Sequence, residues 1–126
     1  MVHRRAGISL ALLLWSIVAC SLAQQAVGVS SKIVSWDWIV RGNVIDGAGT
    51  GMYFGNSDGT AAFIGALIEG NLFLDTLGYN MQVKHQLARE AAPGVPSGPR
   101  STIIRHNVFI KSDNPSPDGG RPNLLV

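Results

Sequence analysis

Leu67-Ile68-Glu69-Gly70-Asn71-Leu72-Phe73-Leu74-Asp75 reads as two short strands meeting at a tight Gly-Asn corner. The pattern recurs at Ile39-Val40-Arg41-Gly42-Asn43-Val44-Ile45-Asp46 and at Ile103-Ile104-Arg105-His106-Asn107-Val108-Phe109-Ile110. Counted from each asparagine, the residue three before is Val40, Ile68 or Ile104. Two before stand Arg41, Glu69 and Arg105, and two after stand Ile45, Phe73 and Phe109. A further strand follows each copy: Gly51-Met52-Tyr53-Phe54, Asn80-Met81-Gln82-Val83 and Asn123-Leu124-Leu125-Val126. The corner asparagines are 28 and 36 residues apart, and loops absorb the difference. Short strands repeating at roughly 20–45 residues are the signature of a solenoid. No helical periodicity of any length competes with it.

Stacked at the spacing of neighbouring strands, about 4.8 Å, the repeats put Val40, Ile68 and Ile104 in one inner row. Ile45, Phe73 and Phe109 form another. Asparagine tolerates the left-handed backbone of a sharp corner, and its amide can bond to the amides above and below. Asn43, Asn71 and Asn107 are therefore expected to form a structural ladder. Arg41, Glu69 and Arg105 are expected outside with alternating sign, each exposed pair worth roughly 0–1 kcal/mol.

The x-[ILV]-x-[GH]-N-x-[IF] pattern, followed by a Gly-rich turn and a short strand, resembles the repeat of the pectate-lyase-like superfamily. The resemblance covers about Trp38 to Val126. It implies an all-β fold, a right-handed parallel β-helix of about three coils. Enzymes of this kind bind sugars along one outer sheet face and often hold calcium in a stack of acids.

The N-terminus reads differently. Arg4 and Arg5 precede an apolar run from Ile8 to Ala19, too short to span a bilayer comfortably. This is the layout of a secretory signal peptide over residues 1–23, with Ser21-Leu22-Ala23 as the cleavage site. An alternative is Ile17-Val18-Ala19-Cys20, which resembles a lipobox: a lipoprotein signal over 1–19 with a lipid on Cys20. Residues 24–32 read as a flexible leader, and 33–126 as the repeats. The expected location is secreted, periplasmic or cell-surface, with no transmembrane segment in the mature chain. Of ten basic residues, Arg4 and Arg5 belong to this signal, and the remainder balances at eight basic and eight acidic. The basic pI of about 9.0 is thus no argument for a nucleic-acid partner. Cys20 is the single cysteine, so a mature chain beginning at Gln24 has no disulfide or thiolate metal site.

Between the repeats lie turns and one long insert, His85 to Arg100. Gln86 to Ala92 is expected to form a helical turn or two before Pro93, Pro96 and Pro99 forbid regular structure. Asp46 and Asp75 sit near equivalent turns, where hard cations prefer carboxylate oxygens. Lys111 takes the matching place in the third coil, so turn-capping is the better reading and no cofactor is expected, calcium being the one cation the pair would suit. Asp58, Asp113 and Asp118 read as turn residues. Alternation points Tyr53, Gln82 and Lys84 outward, with His85 opening the insert. Tyr53 and Gln82 are the candidate sugar-binding residues, and Lys84 and His85 the candidate proton-transfer groups. The bland alternative is an ordinary exposed sheet face with a basic edge. His106 replaces glycine at its corner and reads as structural. No Ser-His-Asp set, nucleotide-binding glycine loop or His/Cys cluster is present.

The sequence thus points to an exported protein that binds or modifies polysaccharide, of lyase, hydrolase or epimerase type. The alternatives are a non-catalytic surface or adhesion solenoid, or an inactive fragment of a longer protein. Strand-like residues at Asn123 to Val126 and the lack of an amphipathic capping helix lead to a further expectation. Expressed alone, the mature segment should be partly unfolded or associate end to end.

Overall fold

The computed structural model describes residues 26–89, 91–112 and 122–126. Expectations on the signal over 1–23, on Cys20 and on Asp113 and Asp118 lie outside the described residues. Among those described, every element is a strand. In order they are β1 (Val27–Ser31), β2 (Ser35–Trp36), β3 (Ile39–Arg41), β4 (Val44–Asp46), β5 (Thr50–Phe54) and β6 (Phe63–Ile64). Then come β7 (Leu67–Glu69), β8 (Leu72–Leu74), β9 (Met81–Val83), β10 (Ile103–Arg105), β11 (Val108–Ile110) and β12 (Leu124–Leu125).

All pairings are parallel and build four sheets: β1-β5-β9-β12, β3-β7-β10, β4-β8-β11 and β2-β6. Successive passes of the chain visit the sheets in the same order. The first runs β2-β3-β4-β5 and the second β6-β7-β8-β9. The third supplies β10, β11 and β12.

Register follows the corner asparagines. Val40, Ile68 and Ile104 align, as do Ile45, Phe73 and Phe109. Ile68, Phe73 and Met81 of the second pass and Met52 and Phe54 of the first are fully buried at 0% exposure, so the core is centred on these two passes. Phe73 stacks on Phe109 at 4.8 Å between centroids, and Phe54 on Phe63 at 4.1 Å. Trp38 meets Phe54 and Phe63 edge-on. Such aromatic pairs add about 0.5–1.5 kcal/mol each beyond their burial.

Four features differ from the sequence reading. Val27–Ser31, expected within the flexible leader, is a strand paired to β5 with Val29 opposite Met52. Valines at alternate positions give it an inner face that packs on the core, and pairing supplies what local sequence does not. Second, the left-handed residue at each corner is the one before the asparagine: φ is 66° at Gly42, 63° at Gly70 and 54° at His106. His106 thus holds a conformation that costs a non-glycine residue roughly 1–2 kcal/mol. Third, Gln86 begins no helix: residues 85–89 run without regular structure. Leu87 N–H donates to the Gly59 carbonyl and the Gln86 amide to the Phe63 carbonyl, so the insert is held along the 55–63 segment.

Fourth, Asp46 and Asp75 do not share a row. Asp46 aligns with Leu74 and Ile110, which places Asp75 in the row of Gly47, one residue on. The Asp75 carboxylate accepts the Ser112 backbone N–H and so ties one pass to the next. Among the described residues no group of three or more His, Cys, Asp or Glu side chains gathers to hold a metal.

Candidate functional site

The outer surface of the β1-β5-β9-β12 sheet is set by the pleat. Met52, Phe54, Met81 and Val83 turn inward, so Tyr53 and Gln82 turn outward. Register places Ser30, Tyr53, Gln82 and Leu125 in one outward row. Ser31, Phe54 and Val83 align behind it, so the next positions, Lys32, Gly55 and Lys84, also align. Gly55 N–H donates to the Ser31 carbonyl and Lys84 N–H to the Phe54 carbonyl, each at 2.8 Å, which fixes that level.

Gly55 sits between the two lysines with φ at 91°, and a Cβ there would lie 3.1 Å from Lys84 Cβ. The missing side chain leaves both lysines room over one ring. Lys32 Nζ is 5.5 Å from the Tyr53 centroid and Lys84 Nζ 5.7 Å. Each such contact is worth about 0.5–1 kcal/mol at an exposed site. Among the described residues, neither ammonium has a carboxylate in ion-pair range. The patch therefore carries two positive charges around one aromatic face.

The remaining candidates fall at its edges. Gln82 is only 5% exposed, stacked between Tyr53 and Leu125, so little of its amide is presented to a ligand. His85 is exposed, and its ring lies against Gly59, 3.0 Å from where a Cβ would stand. The neighbouring loop is tied by its own side chains. The Asp58 carboxylate accepts from Thr60 N–H at 2.9 Å and Thr60 Oγ1 at 2.7 Å. These bonds, the hydroxyl's first, hold Asp58 below the ordinary carboxylate range. Asn56 bonds Thr60 and Ala61 as well. A cleft of about 380 Å³ opens beyond this loop, lined by Val34, Thr60, Leu87, Arg89 and Val95 among others, and includes none of Tyr53, Lys84 and His85.

The asparagines lie away from this face and hold the corner. Asn71 Oδ1 accepts from Asn43 N–H at 3.0 Å and from Asn43 Nδ2 at 2.9 Å. Asn107 Oδ1 accepts the same pair from Asn71 at the same distances. Asn71 Nδ2 also donates to the Val40 carbonyl, and Asn107 Nδ2 to that of Ile68.

Two features escaped the sequence reading. Lys32 belongs to the patch, and only the recognition of β1 as a strand would have aligned it with Lys84. A second amide pair joins Asn80 Nδ2 to Asn123 Oδ1 at 2.7 Å. Its signal was available, since Asn80 and Asn123 open matching strands. Gly51 takes that position in the first pass, where a Cβ would sit 2.2 Å from the Asn80 carbonyl oxygen.

Scans against family models, curated proteins and solved structures find no match to this chain.

Proposed function

We propose that this chain is an exported right-handed parallel β-helix protein that binds polysaccharide on the outer face of the β1-β5-β9-β12 sheet. Right-handedness rests on the strong preference of parallel crossover connections for that hand. Export rests on Arg4, Arg5 and the apolar run that follows. The observation that carries the binding reading is Tyr53 with Lys32 and Lys84 at its ring and no described carboxylate pairing either. An aromatic face offers a sugar ring an apolar platform, and ammonium groups donate to hydroxyl and carboxylate oxygens. Proton transfer in a chemical change of the bound sugar would fall to Lys84 and His85.

The test is titration calorimetry with neutral and acidic oligosaccharides. Tyr53→Ala and the Lys32→Ala/Lys84→Ala pair should each weaken binding about tenfold, a loss of about 1.4 kcal/mol, with the circular dichroism spectrum unchanged. Binding that survives both changes places the sugar elsewhere.

A further inference from the structure

The cleft beside the 55–63 segment is built by the long insert. Leu87 N–H donates to the Gly59 carbonyl at 3.0 Å and sets one wall against the other. Ala92-Pro93-Gly94-Val95 then reverses the chain: Val95 N–H donates to the Ala92 carbonyl at 3.1 Å, and φ at Gly94 is 83°. Proline followed by a left-handed glycine suits a type II turn, and this turn brings both Ala92 and Val95 to the lining. With Val34, Ala62, Leu87 and Ala88 they make the walls mainly aliphatic. Ala62 is buried, whereas Val34 and Leu87 are exposed. The volume of about 380 Å³ is that of a small-molecule site.

The polar groups of the lining select the ligand. Thr60 Oγ1 donates to Asp58 and accepts from Asn56 Nδ2, so the hydroxyl is committed within its own loop. The Asp58 carboxylate is taken up by Thr60 and does not line the cleft. Arg89 is different. Its Nη2 donates to the Gly98 carbonyl at 2.6 Å, which anchors the guanidinium. Its other N–H groups have no acceptor among the described residues, and no described carboxylate lies in ion-pair range. A guanidinium presents its donors as a planar fork that matches a carboxylate. The lining thus combines aliphatic walls with one cation whose charge is unmatched by any described acid.

We propose that this cleft binds a small aliphatic carboxylate, its chain against Val34, Leu87 and Ala92 and its acid on Arg89. The reading is independent of sugar binding at Tyr53, which lies outside the cleft.

The probes are octanoate, octanol and octylamine, which share one chain and differ in the head group. Each is titrated into the full chain below its micellar concentration and followed by amide chemical shifts. Octanoate should shift Thr60, Ala62, Leu87 and Val95 saturably and leave Tyr53 and Gln82 in place. It should bind about fivefold more tightly than octanol, in line with the modest worth of exposed ion pairs, and octylamine should bind most weakly. The ratio of octanoate to octanol should fall towards one in 1 M salt, where the Debye length is about 3 Å. Arg89→Gln should remove the same preference and leave octanol binding unchanged. No binding, equal binding of octanoate and octanol at low salt, shifts confined to other residues, or a preference that survives Arg89→Gln overturns the proposal.

Discussion

Asn71 is 1% exposed and uses its whole polar inventory. Its Oδ1 accepts twice from Asn43, its backbone N–H goes to Asn107, and its Nδ2 serves both Asn107 and the Val40 carbonyl. Leucine has a similar volume but none of these groups. Asn71→Leu would leave the Asn43 N–H and the Val40 carbonyl without their partner in a desolvated corner, at about 1–3 kcal/mol for an unsatisfied group. We expect a loss of about 3 kcal/mol in urea unfolding. A change below about 0.5 kcal/mol would mean that the amide row adds nothing to stability. The ladder's place was legible because three asparagines recur in one frame. Which corner residue turns left-handed was not. Glycine and asparagine both tolerate that region, so the Gly-Asn pair leaves the choice open, and the corner geometry assigns it to Gly42, Gly70 and His106.

The strands β3, β7 and β10 carry the charge row as an element, since one acid serves two arginines on neighbouring strands. The hydrogen bond from Arg105 is the main reason that the Glu69 carboxyl lies below a glutamate's ordinary 4.5, with the Arg105 and Arg41 charges adding and desolvation opposing. The sign follows from linkage. A carboxyl with a depressed folded pKa stabilises the fold above its unfolded value and stops doing so as pH falls through the folded one. Glu69→Gln should therefore be less stable than the parent at pH 7, and the gap should close as the pH drops below 4.5. Paired thermal melts from pH 7 to pH 3 measure it, and a gap independent of pH would remove the carboxylate from the account. Alternation made this row readable, as it did Tyr53 and Lys84. It did not reach β1, where Gly28, Ser30 and Ser31 dilute the two alternating valines and pairing with β5 completes the strand. Lys32 was lost with it. Outward-pointing also proved different from exposed at Gln82, because stacked neighbours cover a middle row. The Gln86 side chain reaches the Phe63 carbonyl, so the start of the insert follows β6, and residues 85–89 form no helical turn.

At the scale of the described passes, stability should be highest in the second pass and lower in the third. Each pass contacts only its neighbours, so its protection is approximately a sum over the interfaces it makes. The second pass has an interface on both sides, and Ile68 and Phe73 are fully buried there. The third has one among the described residues, leaving Ile104 and Phe109 partly open and Leu124 and Leu125 each 38% exposed. The parallel order of the passes was legible from the repeat alone. The small β2-β6 sheet was not, because its two-residue strands present no alternation to read. Opening of a pass with one interface requires breaking only that interface, whereas opening the second disrupts both neighbours. Native-state hydrogen exchange on the full chain should therefore show the Ile103 and Val108 amides, which bond back to the second pass, exchanging at least about tenfold faster than those of Leu67 and Leu72, which bond back to the first, a gap of about 1.4 kcal/mol in opening free energy. Urea well below the midpoint should speed the slow set more steeply than the fast one, since opening the second pass exposes more surface. Equal rates for the two sets, with equal urea dependence, would mean that the passes open as one unit and that stability is not graded along the stack.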